Sequence, residues 1–190
     1  MVVGRAAGIA DLARDGEWTL RDLLRHAIAV ELRYCEQVLY SATRADDEAV
    51  RIPDERLPCD RLSPPEPKYV DSRTADASRI LDLLGDARRS TDAKLANLAQ
   101  SSLERPSLWG TYSTNVRERL HQIGVHLVEV TLQTEKMLLN AGEPGGEARK
   151  ILRWVWRTRG LHERTSAAAQ LAELDRNFDE LARRARRPEQ

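Results

Sequence analysis

Trp18-Thr19-Leu20-Arg21-Asp22-Leu23-Leu24-Arg25-His26 opens the strongest helical pattern in the chain. Thr19 offers a hydroxyl N-cap, and Asp22, three residues on, completes a capping arrangement. Leu20, Leu24, Ala27, Tyr34, Cys35 and Val38 then recur at helical spacing, which predicts a helix from about Leu20 to Ser41 with one apolar face. Glu31 falls in the middle of that face, where a carboxylate needs a partner, a proton or a cavity. His26 falls toward the edge of the stripe.

Working outward, Ala6 to Arg14 reads as a short helix ended by Asp15-Gly16. Residues from about Asp46 to Val70 read as irregular, because Pro53, Pro58, Pro64, Pro65 and Pro67 forbid a continuous helix. A loop this long suggests a lid or an excursion, with Ile52, Leu57, Leu62 and Tyr69 as its anchors. A second helix is expected from about Thr74 to Leu103 and a third from about Thr114 to Asn140. Pro106 and Gly110 break the chain between them, leaving Trp109 and Tyr112 in the connection. Ala141-Gly142-Glu143-Pro144-Gly145-Gly146 is a stop and restart. A fourth helix follows over about Glu147 to Arg159, with Ile151, Trp154 and Val155 inward, and a last one over about Ala167 to Arg186. Trp156 is expected at a bundle edge or contact. No hairpin signal and no internal repeat is visible. The pattern predicts an all-α single domain over residues 1–190, a four-helix bundle with additional short helices.

Composition agrees with this class. Charged residues make up 32 % and aromatics 5 %, and the formal net charge is zero, which gives no overall field to draw nucleic acid or anionic lipid. Arg183-Arg184-Ala185-Arg186-Arg187 reads as a solvated helix end. Cys35, on the core stripe, and Cys59, in the Pro-rich loop, form no metal or redox spacing and suggest a reducing compartment. With no secretory h-region and no run of the roughly 20 apolar residues a bilayer span needs, a cytoplasmic location is expected.

The third helix carries His126-Leu127-Val128-Glu129-Val130. Imidazoles arriving from different helices are how bundles build metal sites, so His26 and His126 are the candidate metal pair. The plain alternative is two partly buried histidines with ordinary hydrogen bonds. One turn after His126, where a further ligand would share its face, stands Val130. Glu129 points away from that face, His121 lies on another, and His162 reads as a surface residue. No nucleophile elbow, phosphate loop or dinucleotide fingerprint is present.

The opening helix with Glu31, and Val125 through Met137, resemble the first and later histidine-bearing helices of the DinB/YfiT-like superfamily. Gly146 through Ile151 and Arg159 through Glu163 are similar to a C-terminal portion found in that group. The resemblance implies a metal-binding helical bundle, often dimeric, with three histidines around a divalent ion such as zinc or nickel. In some members the metal activates a low-molecular-weight thiol for transferase or isomerase chemistry. By position His26 matches the first ligand and His126 the second, while the third falls on Val130, so the triad is incomplete. Three expectations follow. One is a small-molecule or partner binder whose pocket is bounded by His26, Glu31, His126 and Val130. Another is a metal-dependent thiol S-transferase, isomerase or hydrolase. The last is a structural homodimer.

Overall fold

In the computed structural model the described residues are Asp11, 18–142, 151, 154–155, 157–159, 162 and 168–185. The expected short helix over Ala6 to Arg14, and Trp156, lie outside them, apart from Asp11 in a turn.

Helix α1, Leu20–Thr43, starts as its sequence dictates: the Thr19 side chain accepts from the Asp22 amide while the Asp22 carboxylate accepts from the Thr19 amide. This reciprocal box satisfies two of the donors that a helix start leaves orphaned. Helix α2, Ala77–Leu95, is shorter than expected at both ends. Asp76 caps it, accepting from the Arg79 amide at 2.8 Å, while residues 70–73 form a separate 3-10 turn. Past Leu95 the chain turns and extends at Ala99 before another 3-10 turn over 100–102. Helix α3, Val116–Asn140, begins with a second capping box, Asn115 with Glu118.

The connection into α3 corrects one expectation. Strands β1, Pro106–Trp109, and β2, Tyr112–Asn115, pair antiparallel with Trp109 opposite Tyr112. Gly110, at φ +59, begins the two-residue turn between them. A positive φ at that place suits the twist of a hairpin, so the glycine read as a chain break is instead what closes the ladder. The described fold is otherwise helical, as expected, and ends with α4, Ala168–Ala185.

α1 packs against both α2 and α3. Toward its start, Leu20, Leu24 and Ile28 form one core with Tyr69, Ile80, Leu83 and Ala87. Toward its end, Cys35, Val38 and Ala42 form another with Leu95, Val116, Leu120 and Ile123. Burying each of these large aliphatic side chains contributes about 1.5–3 kcal/mol, so α1 is the element around which the other two are held. In the fourth helical stretch, Ile151 and Trp154 are exposed, at 56 % and 64 %, not inward. The Trp154 ring is covered by the Arg157 guanidinium, 5.3 Å from its centroid, in place of core contacts. Among the described residues no helix is long and apolar enough to cross a membrane.

The Pro-rich segment after α1 has little regular structure, and the helix itself fastens it. His26, Arg33 and Tyr40 are each seven residues apart and so lie along one stripe of α1. Each donates to a loop carbonyl: His26 Nδ1 to Arg61 O at 2.6 Å, Arg33 to Cys59 O, and Tyr40 Oη to Ala49 O at 2.6 Å. The loop therefore runs back along α1, antiparallel to it. Ile52 and Tyr69 are buried as expected. Leu62 is not, at 58 % exposure. The Asp60 carboxylate accepts from the Leu62 and Ser63 amides at 2.6 and 2.7 Å, closing a turn that carries Leu62 outward.

Candidate functional site

On α3, Arg119, Ile123, His126 and Val130 recur at spacings of four, three and four, so they share one face. That face meets α1. Ile123 joins the core around Cys35 and Val38, and Val130 is buried with Leu23 and Ala27. His126 between them is brought to His26 of α1, with the two Nε2 atoms 3.1 Å apart.

This contact fixes the proton pattern of the pair. A carbonyl oxygen only accepts, so His26 carries its proton on Nδ1, which donates to Arg61 O. Its Nε2 is then an acceptor in the neutral ring. The 3.1 Å contact therefore requires His126 to donate from Nε2. Neutrality of both rings is favoured by their surroundings. Burial, reinforced by His26 and by the Arg61 charge, pushes the His126 pKa down to about 4. Burial lowers that of His26 as well, against the opposing pull of the Arg61 carbonyl.

The pair sits in a continuous stack. The Trp18 ring meets His26 edge-on at 4.8 Å, His26 meets His126 at 5.0 Å, and His126 meets Tyr34 at 5.8 Å. The Arg119 guanidinium lies over the far side of that series, 4.6 Å from the Tyr34 centroid. Arg119 is fully buried and donates to the amide oxygens of Gln37 and Gln122. The geometry holds Tyr34, and through it His126, from behind.

His26 faces an open cleft of about 910 Å³ between the start of α1 and the loop, walled by Trp18, Arg33, Leu57, Cys59 and Arg61. The Cys59 thiol there is pushed up to about 11, chiefly by burial, and its Sγ lies 3.8 Å from Ala29 O. It is a protonated thiol near neutral pH, unsuited to act as a nucleophile.

The residues singled out in the sequence thus separate. His26 and His126 meet. Val130 fills the position one turn beyond His126 with methyl groups against Leu23 and Ala27. Glu31 does not line the cleft: it lies five residues from His26, which turns it to another side of α1, and Thr91 of α2 donates to its carboxylate. Cys35 is buried in the core, and Glu129, His121 and His162 are exposed. The sequence reading missed Arg33, Arg61, Tyr34 and Arg119. A seven-residue spacing marks His26 with Arg33, and His126 with Arg119, but the loop carbonyls that give the first stripe its meaning have no sequence signature.

These two helices carry the hallmark of a class, helical bundles whose facing helices deliver histidines to one point. A family model of the DinB superfamily matches residues 11–129, and the chain belongs to that superfamily. The match takes in both histidines and ends one residue before Val130. No curated protein and no solved structure matches the chain.

The divalent metal implied by the resemblance can be tested on the donors present. Nε2 atoms 3.1 Å apart suit a hydrogen bond, and that distance is also short enough for both to reach one ion. The remaining donors decide. Catalytic zinc sites use about three protein ligands. Among the described residues no group of three His, Cys, Asp or Glu side chains comes together to hold an ion. The donor set does not fit a three-ligand site.

Proposed function

We propose that this DinB-superfamily chain is a small-molecule binder whose ligand lies in the cleft over His26, with no resident metal. The observation that supports this most is the aliphatic Val130, packed against Leu23 and Ala27 where a third donor would stand beside the histidine pair. The cleft beside it combines an indole and two leucines with two guanidinium groups and the carboxylates of Asp54 and Asp60. Apolar walls with a few placed polar groups are what small-molecule sites need.

Thermal-shift screening and calorimetry of the untagged protein against small thiols and aromatic acids test the reading. Saturable stabilisation that is lost in Trp18→Ala supports it. A flat response across the panel, together with a stable dimer by light scattering, would favour a structural homodimer instead.

One observation favours a second reading, a metal-dependent thiol S-transferase, isomerase or hydrolase. A backbone carbonyl on Nδ1 is also how ligating imidazoles are oriented, and His26 has one in Arg61 O. Retention of one equivalent of Zn²⁺ or Ni²⁺ after dialysis, lost in His26→Ala, would support that reading over the first.

A further inference from the structure

A second cleft, of about 400 Å³, adjoins the first. Trp18 and Leu62 line both, so they form the sill between them. The second is lined by three arginines, Arg21, Arg25 and Arg73. Two of these are already matched: Arg21 pairs with Asp11 at 2.8 Å, and Arg73 with Glu66. Arg25 differs. It is more than nine-tenths buried, at 8 % exposure, yet its hydrogen-bond partner is the neutral Ser72 hydroxyl, at 3.2 Å. Of the neighbouring carboxylates, Asp22 lines this cleft but closes the α1 cap, and Asp60, whose charge reaches Arg25, accepts from the Leu62 and Ser63 amides.

A buried guanidinium whose neighbouring carboxylates are held by backbone amides, and which itself donates to a neutral hydroxyl, is only partly compensated in the free protein. An anion reaching it would gain a charge-assisted hydrogen bond in a partly desolvated place. Trp18, 42 % exposed, offers an aromatic surface beside it. We infer that the two clefts form one site for a small aromatic carboxylic acid, its ring against Trp18 and Leu62 and its carboxylate on Arg25, with the rest of the molecule extending toward His26. The inference rests on the small-molecule reading above and adds the chemical class and the anion-binding residue.

The recognition is that of a ring plus a charge, so loss of either weakens binding. Removing a hydrogen bond to a charged group lowers affinity roughly ten- to hundredfold. The test uses the full chain with 2-naphthoate and 2-naphthamide as probes, followed by calorimetry. The acid is expected to bind at least about tenfold more tightly than the amide. It is also expected to weaken by a similar factor in Arg25→Gln and less in Arg25→Lys, which keeps the charge but not the planar fork. Ser72→Ala controls for the structural contact of Arg25: it leaves the charge in place, so the acid-to-amide ratio should stay. If Arg25→Gln fails to fold, the acid-to-amide ratio of the parent and Arg25→Lys still decide. Equal affinity for acid and amide overturns the anion assignment while leaving the small-molecule reading standing. An acid preference unchanged in Arg25→Lys and Arg25→Gln overturns the role of Arg25. Binding of neither probe, with saturable binding of a small thiol in the same cleft, overturns the ligand class alone; no binding of any small molecule overturns both readings.

Discussion

Replacing His126 with glutamine should flatten the pH dependence of stability between pH 7 and pH 5. In the folded chain His126 titrates at about 4, while an unfolded chain returns it to its ordinary value of 6.5. Between those values the unfolded state binds more protons, so stability rises with pH, is complete above about 6.5 and is lost as pH falls toward 4. At about 1.36 kcal/mol per unit, the whole window is worth at most about 3 kcal/mol, of which about 2 kcal/mol falls between pH 7 and pH 5. His26 is shifted in the same direction and adds to the slope. Asp11 and Asp60 are held below the usual carboxylate value by the Arg21 side chain and the Ser63 amide respectively, so their contribution fades only at lower pH. The assay is urea unfolding followed by circular dichroism at both pH values, in the parent and in His126→Gln. Glutamine retains an N–H donor for His26 Nε2 but does not titrate. The parent should lose about 2 kcal/mol more than the variant on acidification. Equal losses in the two proteins, or an NMR titration of His126 with a midpoint above 6, would refute the reasoning.

Further outcomes are expected elsewhere. Val130→His places a third imidazole one turn from His126; it should cost about 1–3 kcal/mol by overpacking against Leu23 and Ala27. It should also let the protein retain one equivalent of Zn²⁺ through dialysis, read by elemental analysis; an unchanged metal content would show that position 130 does not face the pair. Asn115→Ala breaks the α3 capping box and should lower unfolding free energy by about 1 kcal/mol in urea. Thr91→Val removes a donor from the buried Glu31 carboxylate and should cost roughly 1–3 kcal/mol in urea unfolding.

How much of this was legible beforehand depended on the range of the interactions. The α1 start and the α3 end are written in local chemistry: Thr19 with Asp22, and Ala141-Gly142, where Gly142 has φ +84. Periodicity placed His26 toward the edge of an apolar stripe that must pack, while its meeting with His126 was legible only as a pairing that a bundle could make. The hairpin was lost because Gly110 looks alike as a break and as a turn, and the two strands are four residues each. The inward assignment of Trp154 failed because periodicity says only that a residue shares a face, not that the face is covered. The cleft was out of reach for another reason. It depends on the Pro-rich loop lying along α1, and the bonds that hold it there go to carbonyls, which every residue carries.

The central contact is between two neutral rings, His126 donating to His26. A long-range ¹H–¹⁵N spectrum of the histidine side chains at neutral pH tests this most directly, recorded before and after one equivalent of Zn²⁺. The expected pattern is His26 protonated on Nδ1 and His126 on Nε2, unchanged by the metal. If both Nε2 resonances move to metal-bound positions, or if either ring carries two protons at pH 7, the pair is not what joins these helices and the binding reading built on it is contradicted.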